Sequence, residues 1–530
     1  MSEAFTSQAN SELFFHPVMN SEIELKLLIS PTDIRRLQRH PLLKALTRQR
    51  FPAQKLFSVY YDTPDLALYQ HRVAVRLRRI GRRWIQTVKA EGSVAAGLHA
   101  RLEWESARTE NSLAFDSIGD PALREFFADE TLRHTLRPIF ITEFTRSRHL
   151  LEFPSGEAVE FALDRGEVRT DDAQLPICEL ELELKSAGDP ARLFDFALSL
   201  QETIPLKLEN VSKAERGYRL FSRAKIVPVK AKPLPLEKEL STSEAFTRII
   251  QSCLTHLQAN EPGVIEGEDS EFVHQMRVAL RRMRSALSVF LDLVPKEQIG
   301  VLLEELHWLA GELDGARNWD VFALETLPPL ASSFPDQTGR EWLKSNIDER
   351  RQHYNVQARE AVASARYQKL LLTLGAWLCR QPWLGGIETQ AQPIPGIPIA
   401  EFAPQVLQKR HKKLKKRGKD IATLAPLERH RVRIAAKKLR YTAEFFSSLY
   451  QRKPARRYIG ALADLQEVLG ALNDAATTVT LLEDIAVAEH DPLRQQAKDI
   501  VLGWVLGASH ARVKDLENTW ENFCSGKVFW

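Results

Sequence analysis

Two carboxylates and an ammonium alternate with aliphatic residues near the start of the chain. Glu22, Glu24 and Lys26 stand against Ile23, Leu25 and Leu27 within SEIELKLLIS (21–30). Period-two alternation puts the three charges on one face of a β-strand, about 7 Å apart. The pattern recurs along the first half. VRLRR sets Arg76 and Arg78 opposite Val75 and Leu77, IQTVKA supplies Lys89, and RLEWE aligns Arg101, Glu103 and Glu105. FTRSRH supplies Arg146 and Arg148, VEFALDRG supplies Glu160 and Asp164, and ELELELK supplies Glu179, Glu181, Glu183 and Lys185. Arg and Lys clamp phosphate oxygens, whereas clustered carboxylates repel one another unless divalent cations lie between them. Phosphate, divalent metal and carboxylate together make a phosphoryl-transfer site, where positioning and charge neutralisation carry most of the catalysis. On this reading Glu22 and Glu24 hold metal, and Lys26 touches the phosphates that the metal bridges. No Walker A loop is present, so the chemistry is not that of a P-loop enzyme.

One such strand on its own fits a sheet with a core face and a solvated face. Seven fit it less well, because amphipathic stretches flank them that need an apolar surface to cover: PTDIRRLQRHPLLKAL, PALREFFADETLRHTL and PARLFDFALSLQETI. Helices packed on an apolar outside leave the charged faces to meet inside a closed barrel. The predicted first half is therefore an inverted barrel, apolar without and charged within.

The chain of 530 residues has room for two to four domains. A formal charge of +4 is small for this length and conceals basic clusters in the second half. Cys178, Cys253, Cys379 and Cys524 lie far apart without a CxxC pair, which fits a reducing compartment rather than a disulfide framework or zinc site. MSEAFTSQANSELFFHPVMN has neither the basic nor the apolar region of a secretory signal, and no apolar run approaches the roughly 18 residues of a membrane span. The expected location is the cytoplasm. Near residue 226 the character changes: IVPVKAKPLPLEKEL reads as a semi-rigid linker over 226–240, and helical periodicity follows to residue 530. The Pro- and Gly-dense stretch 381–401 divides it into halves of about 241–380 and 400–530.

Those halves repeat each other. HQMRVALRRMRSAL starts at His274 and HRVRIAAKKLRYTA at His430, and the cations match at Arg277/Arg433, Arg281/Lys437, Arg282/Lys438 and Arg284/Arg440. Gly315 and Gly470 follow at offsets of 41 and 40 residues, so the helical unit is duplicated. His274, Arg277, Arg281 and Arg284 lie at i, i+3, i+7 and i+10 and form one stripe, as do His430, Arg433, Lys437 and Arg440. A basic run, KRHKKLKKRGK (409–419), strengthens a polyanion reading. Cations around each histidine favour anion contact over metal chelation. The stripes carry few aromatics on which bases could stack, so nucleic acid is an unlikely partner.

EIELK, YYDTPDLAL, VRLRR, RLEWE, ALDRGEV, ELELELK and SKAERGYRL, in that order across 20–222, resemble the CYTH family of triphosphate tunnel metalloenzymes. The repeated HxxRxxx[RK][RK]xR helices resemble the CHAD domain. The first resemblance, over residues 20–225, implies an eight-stranded antiparallel tunnel that hydrolyses inorganic triphosphate to pyrophosphate and phosphate with Mg²⁺ or Mn²⁺. It implies metal ligands among Glu22, Glu24, Asp164, Glu179 and Glu181, with Glu181/Glu183 as the other register of ELELELK. Glu103 and Glu105 would support a metal or its water. Lys26, Arg76, Arg78, Lys89, Arg146 or Arg148, Lys207 and Lys213 would bind phosphate. The second resemblance, over 241–530, implies two pseudo-symmetric four-helix bundles that bind inorganic polyphosphate through both stripes, with Arg282 and Lys438 included, and makes polyphosphate granules a candidate location. The expected fold class is thus α+β followed by all-α. Two alternatives stand beside triphosphate hydrolysis: a tunnel acting on thiamine triphosphate, or on ATP as an adenylate cyclase, and an inactive polyphosphate-binding scaffold.

Overall fold

The structure is a computed structural model that describes residues 21–530 except 110–111, 117, 187, 292, 295, 335–336, 385–395 and 486–490. The stretch read for a secretory signal, and the centre of the 381–401 segment, lie outside the described residues. Ten strands make up the sheet: β1 (Ser21–Ile29), β2 (Thr47–Arg50), β3 (Gln54–Asp62), β4 (Ala74–Ile80), β5 (Arg83–Ala95), β6 (Leu98–Arg108), β7 (Arg137–Glu152), β8 (Ala158–Arg169), β9 (Gln174–Leu184) and β10 (Leu206–Leu208). Eight close into a ring in the order β1-β6-β5-β4-β3-β7-β8-β9, because β9 pairs antiparallel with β1. β10 and β2 lie off the ring, on β1 and β7.

The alternation in the strands decides which face points where. On β1, Ile23, Leu25, Leu27 and Ile29 are buried outward, leaving Glu22, Glu24 and Lys26 for the interior. Short helices cover the apolar outside: α1 (Ile34–Gln38), α2 (Pro41–Leu46), α3 (Ala67–Gln70), α4 (Pro121–Phe126), α5 (Glu130–Thr135), α6 (Ala191–Gln201) and α7 (Lys213–Ser222). α6 buries Leu193, Phe194, Phe196 and Leu200. α7 lies close on the barrel at Gly217, where any Cβ would stand 2.1 Å from the ring of Phe140.

The second half is helical: α8 (Thr242–Glu266), α9 (Glu271–Val289), α10 (Lys296–Val321), α11 (Gln337–Ala363), α12 (Ala365–Arg380), α13 (Ile399–Arg417), α14 (Pro426–Phe446), α15 (Arg452–Glu483) and α16 (Pro492–Ser525). Leaving out α12, four helices match four. Across the pseudo-twofold, α8 meets α13, α9 meets α14 and α11 meets α16. Three of the four matched pairs thus pack counterpart on counterpart, as in an isologous contact.

The compact units differ from the sequence-based division in one place. The first takes in the described residues up to Ile226 together with Ser364–Gln381, and the second runs from Val227 to Ala363 and from Pro382 to Trp530. Assigning everything after 241 to the helical half therefore misplaces α12. The proline-rich segment also differs from a spacer. The amide side chain of buried Asn260 on α8 bonds both the N–H and the C=O of Val229 at 2.9 Å, and Leu236 donates its N–H to Ser448 at 2.9 Å. Proline removes donors from this segment, but the amides that remain are used to bind it to the second unit.

Gly166 on β8 faces Phe144 on β7, and a Cβ there would lie 2.1 Å from the Glu143 carbonyl oxygen and 2.4 Å from Phe144 Cα. Backbone atoms cannot swing aside. Gly166→Ala should destabilise the barrel by about 1–3 kcal/mol. Gly311→Ala on α10, where nothing lies within 4 Å, should gain about 0.5–1 kcal/mol. Urea unfolding of both variants checks this, and an unchanged midpoint for Gly166→Ala would refute the close approach.

Candidate active site and polyanion surface

Inside the ring the charged faces meet as expected, in two groups. The first centres on β8, β9 and β1. Asp164, Glu179 and Glu181 are buried and offer carboxylate oxygens that all lie within 4.8 Å of one another. Lys213, from the first turn of α7, bridges them: its Nζ is 2.6 Å from Asp164 and 2.8 Å from Glu181, and it also donates to Glu179. Arg146 forms a two-pronged pair with Asp164, at 2.8 and 2.7 Å, and reaches Glu181 as well. Lys26 lies 2.7 Å from Glu24 and 2.5 Å from Glu181. Arg216 pairs with Glu179. The ring of Phe144 lies beneath three cations, 4.9 Å from Lys213 Nζ and 5.7 Å from the guanidinium carbons of Arg78 and Arg146.

The second group lies on β1, β4, β5 and β6. Lys89 is 3.1 Å from Glu22 and 2.7 Å from Glu103, and Arg76 is 3.4 Å from Glu103 and 3.9 Å from Glu105. Arg78 donates to Ser58 at 3.0 Å. Arg148 is set apart from Arg146, against Glu160 at 3.5 Å and Gln54 at 3.4 Å. Lys207 stands on β10 in register with Leu28. Glu183 also lies away from the three-carboxylate cluster and pairs with Lys185 at 2.5 Å. Of the two registers open in ELELELK, the cluster uses Glu179 and Glu181. Glu22 and Glu24 do not join it directly: Lys26 stands between Glu24 and Glu181, and Glu22 is held by Lys89 in the second group. Arg216 escaped the sequence reading although it lies one turn beyond Lys213, where i+3 spacing gives a helix a second inward cation.

Burial governs how these groups ionise. It opposes the charged form of Lys26, but Glu181, Glu24 and Glu179 outweigh it and hold the ammonium charged. For Glu181, burial is outweighed by Arg146, Lys213 and Lys26, and the carboxyl is held well below its usual range. Asp164 is lowered in the same way by Lys213 and Arg146. Arg78 differs: burial, with Arg76 and Arg146 alongside, brings it down to about 9. Burial and the Glu22 carboxylate raise Glu183 to about 7.

The second unit gathers cations with fewer acids. α9 meets α14 on the pseudo-twofold, so the two stripes converge. Arg277 pairs with Asp314 at 2.5 Å, and Arg433 lies 3.8 Å from Asp474. Burial, then Arg433, Arg281 and Arg277, depress Lys437 to about 7. Burial and the Arg317 guanidinium take His274 down to about 4, so at neutral pH it brings hydrogen bonding rather than charge. His430 shares a 2.8 Å hydrogen bond with Asn473. Arg284 contacts His307 at 2.5 Å. Arg282 and Arg440 turn instead to Glu444, at 3.1 and 3.2 Å, and Arg282 also lies over Phe445. They brace the bundle. The run on α13 extends the cationic surface: burial and the neighbouring charges of Arg410, Lys413, Arg284 and Arg417 lower Lys438. No described helix is long and apolar enough to cross a membrane.

A depressed carboxyl stabilises the fold above its unfolded pKa, and that contribution is lost as pH falls through the lower folded value. Lys213→Met removes the bridging ammonium, so the folded pKa values of Asp164 and Glu181 rise. The variant should lose about 3–5 kcal/mol at neutral pH and begin to acid-unfold at higher pH than the wild type. Circular dichroism against pH is the measurement, and coincident curves would contradict the bridging role.

Comparison with known proteins agrees with this geometry. The CYTH domain profile matches residues 20–218, and the CHAD domain profile matches 248–483. An inorganic triphosphatase of Haemophilus influenzae is 35% identical over 207 residues, covering 39% of this chain and 56% of that protein. The chain thus spans little more than half the length of this relative. An uncharacterised protein of Mycobacterium tuberculosis is 24% identical over 424 residues, 74% of this chain and 76% of its own length. The crystal structure of the CHAD domain of the plant Ricinus communis aligns at 36% identity and a TM-score of 0.50, over 57% of this chain and 99% of that one. The closed ring of antiparallel strands lies in the CYTH match and most of the duplicated helical unit in the CHAD match, so the chain carries a CYTH domain followed by a CHAD domain.

Proposed function

We propose that the first unit hydrolyses inorganic triphosphate to pyrophosphate and phosphate, and that the second binds inorganic polyphosphate. One observation carries the first half: the three-carboxylate cluster is surrounded by Lys26, Arg146, Lys213 and Arg216 in a closed barrel. A triphosphate entering this lining draws cations to its own oxygens, and the carboxylates it leaves need new positive charge. Their donors are all oxygens, which suit a hard divalent ion such as Mg²⁺ or Mn²⁺. Asp164, Glu179 and Glu181 would hold that ion, with Glu24 and Glu22 next in line behind Lys26 and Lys89. When bound, the metal neutralises phosphoryl oxygens and polarises the anhydride. Lys26, Lys213 and Arg146 bind the chain of phosphates from one side, and Arg76, Arg78 and Lys89 from the other. Glu103 and Glu105 orient Arg76 and Lys89. The resemblance to the Haemophilus inorganic triphosphatase supports an inorganic rather than an organic triphosphate.

The second half rests on like charge. Burial, and then the neighbouring cations, Arg281 among them, lower the ionisation of Arg277, Arg433 and Lys437, a cost that a polyanion relieves.

Phosphate release should be faster from tripolyphosphate than from ATP, thiamine triphosphate or long polyphosphate, and should stop when Mg²⁺ and Mn²⁺ are chelated. Glu181→Gln should lower kcat/KM by about 100-fold or more, close to 3 kcal/mol of transition-state stabilisation. Activity within threefold of wild type at saturating metal would remove Glu181 from the site.

Polyphosphate affinity should fall steeply with salt as condensed counterions are released, and single-stranded DNA should bind less tightly at equal phosphate concentration. Lys437 is mostly neutral above pH 7 in the free protein, and a bound polyanion favours its charged form. Binding at pH 8 should therefore take up a proton, and affinity should decline as pH rises above 7. Calorimetry in two buffers of different ionisation enthalpy measures the uptake, and Lys437→Gln should abolish it. Tighter binding of DNA, or unchanged affinity when Arg277, Arg281, Arg433 and Lys437 are all alanine, would overturn the polyphosphate assignment.

A further inference from the structure

α12 comes from the second half of the sequence yet completes the first unit. The chain enters it from Ala363 and leaves it at Pro382, both in the second unit. Its buried face includes Leu370, Leu371, Leu374 and Leu378. At Gly375 it touches α6 so closely that a Cβ would lie 2.2 Å from the Phe194 ring. Arg380 pairs with Asp195 on the same helix. Gln368, only 3% exposed, reaches past α6 to strand β10, where its Oε1 accepts the Leu208 N–H at 2.9 Å.

That amide points away from the β1–β10 ladder. β10 has three residues and a single strand partner, so without Gln368 its outer edge would hold a buried, unsatisfied donor. The strand borders the reaction chamber directly. Leu208 and Lys207 are in register with Leu27 and Leu28, and the Glu209 N–H donates to the Lys26 carbonyl at 2.9 Å. Residues paired across a ladder share a face, and Leu28 lies two residues beyond Lys26, on the tunnel side. Lys207 is therefore carried on the inner face by a strand whose outer edge is held by Gln368.

We propose that Gln368 is a positioning residue for triphosphate binding: by fixing β10 it sets Lys207 against the substrate. α12 then makes a segment of the helical half an integral part of the catalytic unit. This rests on the reading of the tunnel as a triphosphatase site.

The test uses the full-length protein. Gln368→Met keeps the bulk and removes the acceptor. KM for tripolyphosphate should rise about 5–10-fold with kcat within about twofold, since a ground-state phosphate contact is loosened. Amide exchange at Leu208 should quicken at least about tenfold while exchange in β4 and β5 stays unchanged. In a Lys207→Met background, Gln368→Met should raise KM no further, because both changes act through one contact. Gln368→Asn, one methylene too short to reach Leu208, should reproduce the KM effect should the methionine variant fail to fold. A KM unchanged in both variants, or effects of Lys207→Met and Gln368→Met that multiply, would overturn the inference. A wild-type protein that releases no phosphate from tripolyphosphate would instead overturn the triphosphatase reading itself.

Discussion

Ionised side chains are costly to remove from water, and the desolvation of a carboxylate or ammonium amounts to several kcal/mol even after relaxation. The tunnel removes many at once, so its structure depends on opposite charges meeting in register. Closing the ring by pairing β9 with β1 brings Glu181 to Lys26, and pairing β7 with β8 brings Arg146 to Asp164. α7 then supplies Lys213 at a point where three carboxylates converge. Break the closure and these groups lose their partners together. Gly166 has the same dependence, because it lets β8 approach Phe144, whose ring lies under Lys213, Arg78 and Arg146.

The two units solve opposite problems with the same residue types. In the barrel, acids and bases nearly match, and each carboxylate of the cluster is shared by two or more cations. On the proposed reading, a triphosphate would gain entry by exchanging partners. In the helical unit, duplication across a pseudo-twofold brings like charges together, and Asp314 and Asp474 only partly offset them. There, on the proposed reading, a polyanion would supply the missing charge. One arrangement suits a short anion held in a defined pose, and the other a long anion held by charge density.

Compactness does not follow sequence order. A helix within the CHAD-matching segment packs on α6 and β10, so cutting the chain between 226 and 240 would leave the face of α6 and the edge of β10 uncovered. Isolated edges and apolar helix faces are costly in water. A fragment ending near residue 225 is therefore not the whole first compact unit.

Much was already legible in the chain. Period-two charge on seven strands, with amphipathic helices between them, determined that the charged faces turn inward, because only one face of each strand can lie under a helix. The repeated His–Arg stripes determined a duplicated cationic surface, since helical spacing alone places those cations in line. Tertiary structure decided what local pattern cannot express. Whether Glu179/Glu181 or Glu181/Glu183 makes the cluster depends on the stagger between β8 and β9, which neither strand encodes by itself. That Arg282 and Arg440 pair with Glu444 depends on which face of α9 and α14 the bundle buries. The membership of α12 in the first unit was hidden most completely. Its apolar face would have suited either unit, and only the fit of Gly375 to Phe194 and of Gln368 to an unpaired strand amide, contacts between residues far apart in the chain, decides between them.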